Sequence, residues 1–312
     1  MIQPDNEPPT TLSGRQVSLR HGDYAASIAT VGASLRELSW RGRPLVRPWS
    51  AHGLRPVYSG SVLAPWPNRV IDGAYDWEGE PRQLALSEPA RGHALHGLLA
   101  RSDFEIAQRT ASTVRLRSVI EAQEGYPHRV LVELEYVLGD KGLETTARAE
   151  LLAGGPAPFG WGTHPYLYAP GGSADAWSLT LAADTVQLSE GERLLPSELV
   201  PVERGAFDFR APRSLRGAFI DHAFTGLERD DAGLAHVEVL DAEGVGLRMS
   251  WGRELGWVQI HTADRPEPEL DRTGLAVEPM TCPPGAFNSG TDVIRREHGT
   301  PHEAAWVIQA VG

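Results

Sequence analysis

An all-β chain, folded as a large antiparallel β-sandwich, is predicted by three observations. Apolar and polar residues alternate with period two along many short stretches, 33 glycines and 24 prolines fall between those stretches, and no segment carries the apolar repeat of an amphipathic helix. Along the chain the alternation predicts strands at 15–20, 24–31 and 33–40, then at 114–120, where Val114, Leu116 and Ile120 alternate with Arg115 and Arg117. The clearest strand is 130–138. Val130, Val132, Leu134, Tyr136 and Leu138 alternate there with Leu131, Glu133, Glu135 and Val137, which gives one apolar and one wetter face. Further strands are expected at 142–152, 177–182, 236–240, 245–251, 257–262 and 304–311, the last with Trp306, Ile308 and Ala310 on one face. Strands this numerous stack as closed or nearly closed sheets, which also protects their edges. Residues 169–174 and 187–218, the latter rich in Pro, Arg, Glu and Gly, read as loop excursions. The chain reads as a flexible segment at 1–13 followed by a single domain at 14–312, a length that one sandwich with decorated loops reaches.

Composition excludes several classes of partner. The formal charge of -12 and the absence of Lys/Arg clusters argue against nucleic acid and against anionic membranes. Lys141 is the only lysine against 28 arginines, a bias that a GC-rich coding sequence explains without any role for guanidinium. Cys282 stands alone, so a reducing cytoplasm is the simplest setting. No run reaches the ~18 apolar residues of a membrane span, and MIQPDNEPPTTL lacks a basic start followed by an apolar stretch.

Chemistry concentrates in islands far apart in sequence: PWPNRV, ALHG, THPY, IDHAF and AVEPM. Glu278 sits in LAVEPM, where the following proline ends the ladder, so the carboxylate is expected at a strand end on a sheet edge or rim. Apolar company raises a carboxylate's pKa, which suits a general base; a salt-bridged structural Glu is the alternative. His164, between aromatics and before a proline, can serve as acid and base alternately or as a packing residue. His96 precedes a glycine that lets the backbone turn tightly and present the ring to a cavity. Asn68 and Arg69 follow two prolines that stiffen the approach of a fork-shaped donor, with a surface Arg as the plain alternative. Asp221 can accept hydrogen bonds from two vicinal hydroxyls, or close an Asx-turn. Trp66, Trp161, Tyr166 and Trp257 lie close enough to these islands to stack on a sugar face or to be core.

PNRV followed by DGAYDWEG, ALHG, THPY, IDHAF, WVQIHT and AVEPM, in that order from roughly residue 14 to the C-terminus, resembles the aldose 1-epimerase (galactose mutarotase) family. The resemblance implies a sandwich with a sugar-binding cleft on one sheet, a monosaccharide substrate, no cofactor and no metal. It implies Glu278 as the base at the anomeric hydroxyl and His164 as the acid at the ring oxygen. Arg69, His96, Asp221 and Gln259 match hydroxyl-holding positions, and Asn68 matches a motif residue counted with the substrate-binding set, a structural use being the alternative. An adjacent carboxylate or the pocket field is expected to favour the charged form of His164, with a bell-shaped pH–rate profile. Leu167 and Tyr168 after THPY, and His261 where the family has Tyr, leave galactose open as the substrate. Related branches act on sulfonated glucose and on hexose 6-phosphates. A monomer or homodimer in the cytoplasm is expected. The rivals are a catalytically silent sugar-binding protein, which would not need both Glu278 and His164, and a metallohydrolase with His96, His164 and Glu278 as ligands, for which no compact motif exists.

Overall fold

The computed structural model describes residues 11–203 and 205–312; 51% of the chain is strand and 3% helical. Every pairing between strands in it is antiparallel. Residues 1–10 of the segment expected to be flexible lie outside the described residues, and Ser13 is buried, with its hydroxyl donating to the Ala51 carbonyl.

Two large sheets carry the fold. One has nine strands, running from Glu105–Arg109 through Thr113–Ile120, Arg129–Gly139, Gly142–Ala153, His302–Val311, Gly246–Trp251, Ala235–Leu240 and Ser178–Leu181 to Arg213–Ser214. The alternation read at 130–138 sets its inner face: Val130, Val132, Leu134, Tyr136 and Leu138 are all buried, and so are Trp306 and Ile308 two strands away. Each fully buried Val or Leu is worth about 1.5–3 kcal/mol, so a one-residue slip of register that exposed this row would be prohibitive.

The second sheet has eight strands and carries the chemistry. Its order is Leu195–Pro201, Ala183–Glu190, Asp221–Leu227, Trp257–His261, Leu275–Met280, Gly162–Thr163 and Val62–Leu63, with Tyr166–Leu167 also paired to Leu275–Met280. One face, with Phe224, Val258, Ile260 and Val277, joins the apolar core shared with the nine-stranded sheet. The other face presents Asp221, Gln259, His261 and Glu278. A four-stranded sheet, Gln16–His21 to Arg43–Pro44, adds Leu19 and Ile28 to the same core, and the Tyr136 hydroxyl donates to the Ala33 carbonyl at 2.6 Å.

Two expectations need correction. Residues 187–218 are not a plain excursion: Ala183–Glu190 and Leu195–Pro201 form a hairpin at the edge of the eight-stranded sheet. Prolines at both ends of the second strand and its largely solvated side chains hide the alternation. Nor does the strand stop at Glu278. Leu275–Met280 continues through Pro279 in the interior of the sheet, with Val258 opposite Pro279 and Gln259 opposite Glu278. Val277 N–H donates to the Pro165 carbonyl and Thr281 N–H to the Trp161 carbonyl, so the amide that Pro279 lacks belongs to the side where the neighbouring chain is interrupted at His164–Pro165.

Candidate active site

Register brings the carboxylates and imidazoles together. Residues directly opposite in an antiparallel pair share a face, so the pairs Gln259↔Glu278 and Asp221↔His261 set four polar side chains on the face turned away from the core. The chain Gly162–Thr163 and Tyr166–Leu167 flanks the same strand, and His164 lies in the break between them. Its backbone is held on the far side, where its N–H donates to the Ser61 carbonyl and its C=O accepts from the Gly60 N–H. His164 Nε2 thereby sits 3.2 Å from Glu278 Oε1, both groups almost fully buried.

A second layer is built on the hairpin that pairs Arg69–Ile71 with His93–Leu95. Asn68 and His96 both adopt left-handed backbone (φ 52° and 60°), and Gly97 follows at φ 69°. A Cβ on Gly97 would collide with the Ala64 carbonyl, which is why the turn after His96 requires glycine. Asn68 and His96 are tied reciprocally: the His96 N–H donates to the Asn68 carbonyl at 2.8 Å, and the Asn68 N–H donates to His96 Nδ1 at 3.2 Å. That second bond fixes the tautomer. With Nδ1 accepting, the ring proton of His96 is on Nε2.

These residues line one cavity of about 340 Å³, with Arg69, His96, His164, Asp221 and Glu278 on its walls together with Asn68, Tyr58, Glu88, His261 and Arg265. Arg69 forms a two-pronged pair with Glu88 (2.7 and 3.1 Å), and Arg91 shares the same carboxylate. Gln259 is not a wall residue. It is buried beneath Asp221 and donates to its Oδ1 at 2.7 Å. None of Trp66, Trp161, Tyr166 and Trp257 lines the cavity; its aromatic walls are Tyr58 and Phe219. Tyr58, Glu88 and Arg265 escaped the sequence reading, since nothing near them in the chain marks them. His261 was visible only as a departure. Its Nδ1 lies 3.3 Å from the Ile220 carbonyl and its Nε2 3.2 Å from Arg265 Nη2, so it is neutral with the proton on Nδ1.

Burial decides the protonation states. It lowers the His164 pKa to about 3, with His261, Arg265 and Arg55 acting in the same direction, and it raises the Glu278 carboxyl well above the ordinary range, helped by Asp221 and opposed by Arg69 and Arg265. The expectation that a neighbouring carboxylate would keep His164 charged is therefore reversed. The carboxylate is there, but the cost of a buried charge outweighs it, and the resting pair is a carboxylic acid beside a neutral imidazole. Glu278 Oε2, His164 Nδ1 and Gln259 Oε1 are buried without hydrogen-bond partners. Each such atom costs about 1–3 kcal/mol until something polar meets it.

His96, His164 and Glu278 offer candidate metal-ligand atoms within 4.8 Å of one another. They do not fit a metal. The Asn68 amide occupies the Nδ1 lone pair of His96 and leaves the proton on Nε2, so neither nitrogen of that ring has a lone pair free.

Stacked antiparallel sheets with this cleft define a galactose mutarotase-like fold. The chain belongs to the aldose 1-epimerase family, an isomerase family, whose pattern it matches over residues 15–309. It is 36% identical to the uncharacterized protein YihR of Escherichia coli K12, over 93% of this chain and 91% of that protein. It is 28% identical to human galactose mutarotase over 55% of this chain and 51% of the human one. The crystal structure of a galactose mutarotase-like protein from Clostridium acetobutylicum superposes with a TM-score of 0.83 at 18% identity, covering 96% of this chain and 95% of that one.

Proposed function

We propose that this protein is an active aldose 1-epimerase that opens and recloses a free aldopyranose, with Glu278 and His164 as its proton-transfer pair. The observation that carries the reading is the 3.2 Å separation of His164 Nε2 and Glu278 Oε1 at the buried floor of a polar cavity. The anomeric hydroxyl and the ring oxygen of a hemiacetal share one carbon, so an acid and a base one hydrogen bond apart can reach one oxygen each.

Ring opening takes a proton from the anomeric hydroxyl and gives one to the ring oxygen; the free aldehyde rotates, and closure on its other face reverses both transfers. The pair must therefore hold one proton in total. At rest that proton is on Glu278. A bound sugar that donates its anomeric hydroxyl to the carboxylate and accepts from Nε2–H draws the proton onto His164, which leaves Glu278 as the base and His164 as the acid. His96 Nε2–H and the Arg69 guanidinium supply donors for sugar hydroxyls, and Asp221 an acceptor. Gln259 holds Asp221 in place, and Asn68 holds His96. No step requires a covalent intermediate.

A second reading concerns the substrate. Arg265 lines the cavity with no carboxylate partner among the described residues, its Nε unpaired, while Arg69 and Arg91 share the single carboxylate of Glu88. A wall guanidinium with no carboxylate of its own, that of Arg265, favours a sugar carrying an anion, such as a sulfonate or a phosphate on C6. Polarimetry on freshly dissolved glucose, galactose, sulfoquinovose and glucose 6-phosphate tests both readings. Acceleration of at least one sugar is expected, greatest for an anionic one. Equal rates for neutral and anionic sugars would remove the second reading, and no acceleration of any would leave a sugar-binding protein.

The protonation states also predict the pH profile. Below about 3 both groups carry protons and no base remains. Above the raised pKa of Glu278 neither does, and no acid remains. Between these limits the pair holds one proton. kcat/KM is therefore expected to stay level on the acid side down to the pH at which the fold fails, and to fall only on the alkaline side. An acid limb centred between about pH 5 and 7, where an ordinary His titrates, would show that the free enzyme needs its imidazolium and would overturn this order of pKa values.

A further inference from the structure

Two tyrosine rings lie nearly parallel to the ring of His164. The Tyr166 ring lies 5.2 Å away at 22° and the Tyr58 ring 6.4 Å away at 19°, both stacked on the imidazole. His164 and Tyr166 are two residues apart in extended chain, which sends both side chains to the same side and explains one contact. The other is long-range and held at a backbone cost. Val57 and Tyr58 are consecutive left-handed residues (φ 41° and 58°), and a β-branched residue in that region is strained.

The surroundings over-determine this placement. The Ser59–Ser61 segment carries the backbone bonds that hold His164. Arg47 lies 4.8 Å from the centre of the Tyr166 ring, and its Nη2 donates to the Ser59 hydroxyl at 3.2 Å, which ties one ring's support to the other's loop. Arg101 donates to the Tyr58 hydroxyl at 3.3 Å. Tyr58 also meets His96 edge-on at 4.7 Å. Tyr166 is fully buried, whereas Tyr58 is half-buried and forms part of the cavity wall.

Resting on the mutarotase reading above, we infer that Tyr58 and Tyr166 act as positioning residues, an aromatic clamp of two near-parallel rings that fixes the plane of the His164 ring and shields it from water. Parallel stacking blocks rotation of the ring about its Cβ–Cγ bond while leaving its Nε2 edge open towards Glu278 and the sugar, which is the freedom a proton shuttle needs and no more. Shielding also removes solvent that would stabilise the imidazolium. The charged and titratable groups that face the ring from elsewhere are Glu278, His96, His261, Arg265 and Arg55. Only Glu278 is acidic, so the ring's low basicity depends on the dry faces as well as on the guanidinium field.

The test is an NMR titration of the His164 ring C–H signals without sugar, assigned with His164→Asn, in wild type, Tyr58→Phe and Tyr58→Leu, with mutarotation measured in parallel. Phe keeps the ring and loses the Arg101 bond; Leu keeps apolar bulk and loses the flat face. In wild type and Tyr58→Phe the ring is expected to stay neutral down to about pH 4, whereas in Tyr58→Leu it titrates above that, with kcat lower on the order of ten- to a hundredfold and an acid limb entering the rate profile. Tyr166→Leu, if it folds, is expected to behave like Tyr58→Leu. Wild-type titration in Tyr58→Leu overturns the clamp, and so does a Tyr58→Phe shift as large as that of Leu, because the hydroxyl and not the ring would then be responsible. The titration needs no substrate, so a failed clamp is distinguishable from a failed mutarotase reading, in which the sugars do not respond but the ring still does.

Discussion

Glu278→Gln is expected to lower the enzymatic rate of mutarotation by about 10²–10⁴-fold, the usual contribution of one well-placed acid–base group. The amide keeps the size of the carboxyl and the row it shares with Gln259, so sugar affinity, read from isothermal titration calorimetry, should hold to within a few-fold. The same substitution has a separate signature in stability. The Glu278 pKa is raised in the folded state, so its contribution to stability is fully present below the unfolded value of about 4.5 and is lost as pH rises towards the folded one. The Tm of Glu278→Gln relative to wild type should accordingly increase with pH above the ordinary carboxylate range. Near-normal turnover would remove Glu278 from the chemistry, and a pH-independent difference in Tm would show that the wild-type carboxyl is not held protonated.

His164→Gln should cost a similar factor, and the double variant should lose little more than either single one. Two residues that pass one proton between them act as a unit, and deleting half of the unit already removes most of its effect. Losses that multiply in the double variant would mean that Glu278 and His164 serve separate steps, contrary to a pair one hydrogen bond apart.

The strands were legible because burial on one face writes itself into sequence at period two, as along Val130–Leu138. The hairpin strand Leu195–Pro201 was not, because at an exposed edge little forces alternation, and prolines at both ends imitate a loop. The islands around Arg69, His96, His164, Asp221 and Glu278 were legible because each combines a side chain able to move or hold a proton or a hydroxyl with a proline, a glycine or apolar neighbours. What sequence could not provide was their pairing. Whether Gln259 meets a sugar or holds Asp221 depends on register and depth, and Tyr58 or Arg265 reaches the cavity only through contacts made across the fold. The neutral state of His164 was out of reach for the same reason. A neighbouring carboxylate is a pairwise fact, whereas the dryness that overrides it is a property of the whole wall.

Pro279 has a consequence for the sheet that floors the polar cavity. Sheets tend to zip: any amide left facing an unpaired segment recruits it as another rung. With Pro279 on one strand and Pro165 on the other, neither of which carries an N–H, the ladder between the bonds made by Val277 and Thr281 has fewer rungs beside Glu278 and His164. Two absent amide hydrogens thus leave this stretch of the sheet more loosely tied than its neighbours.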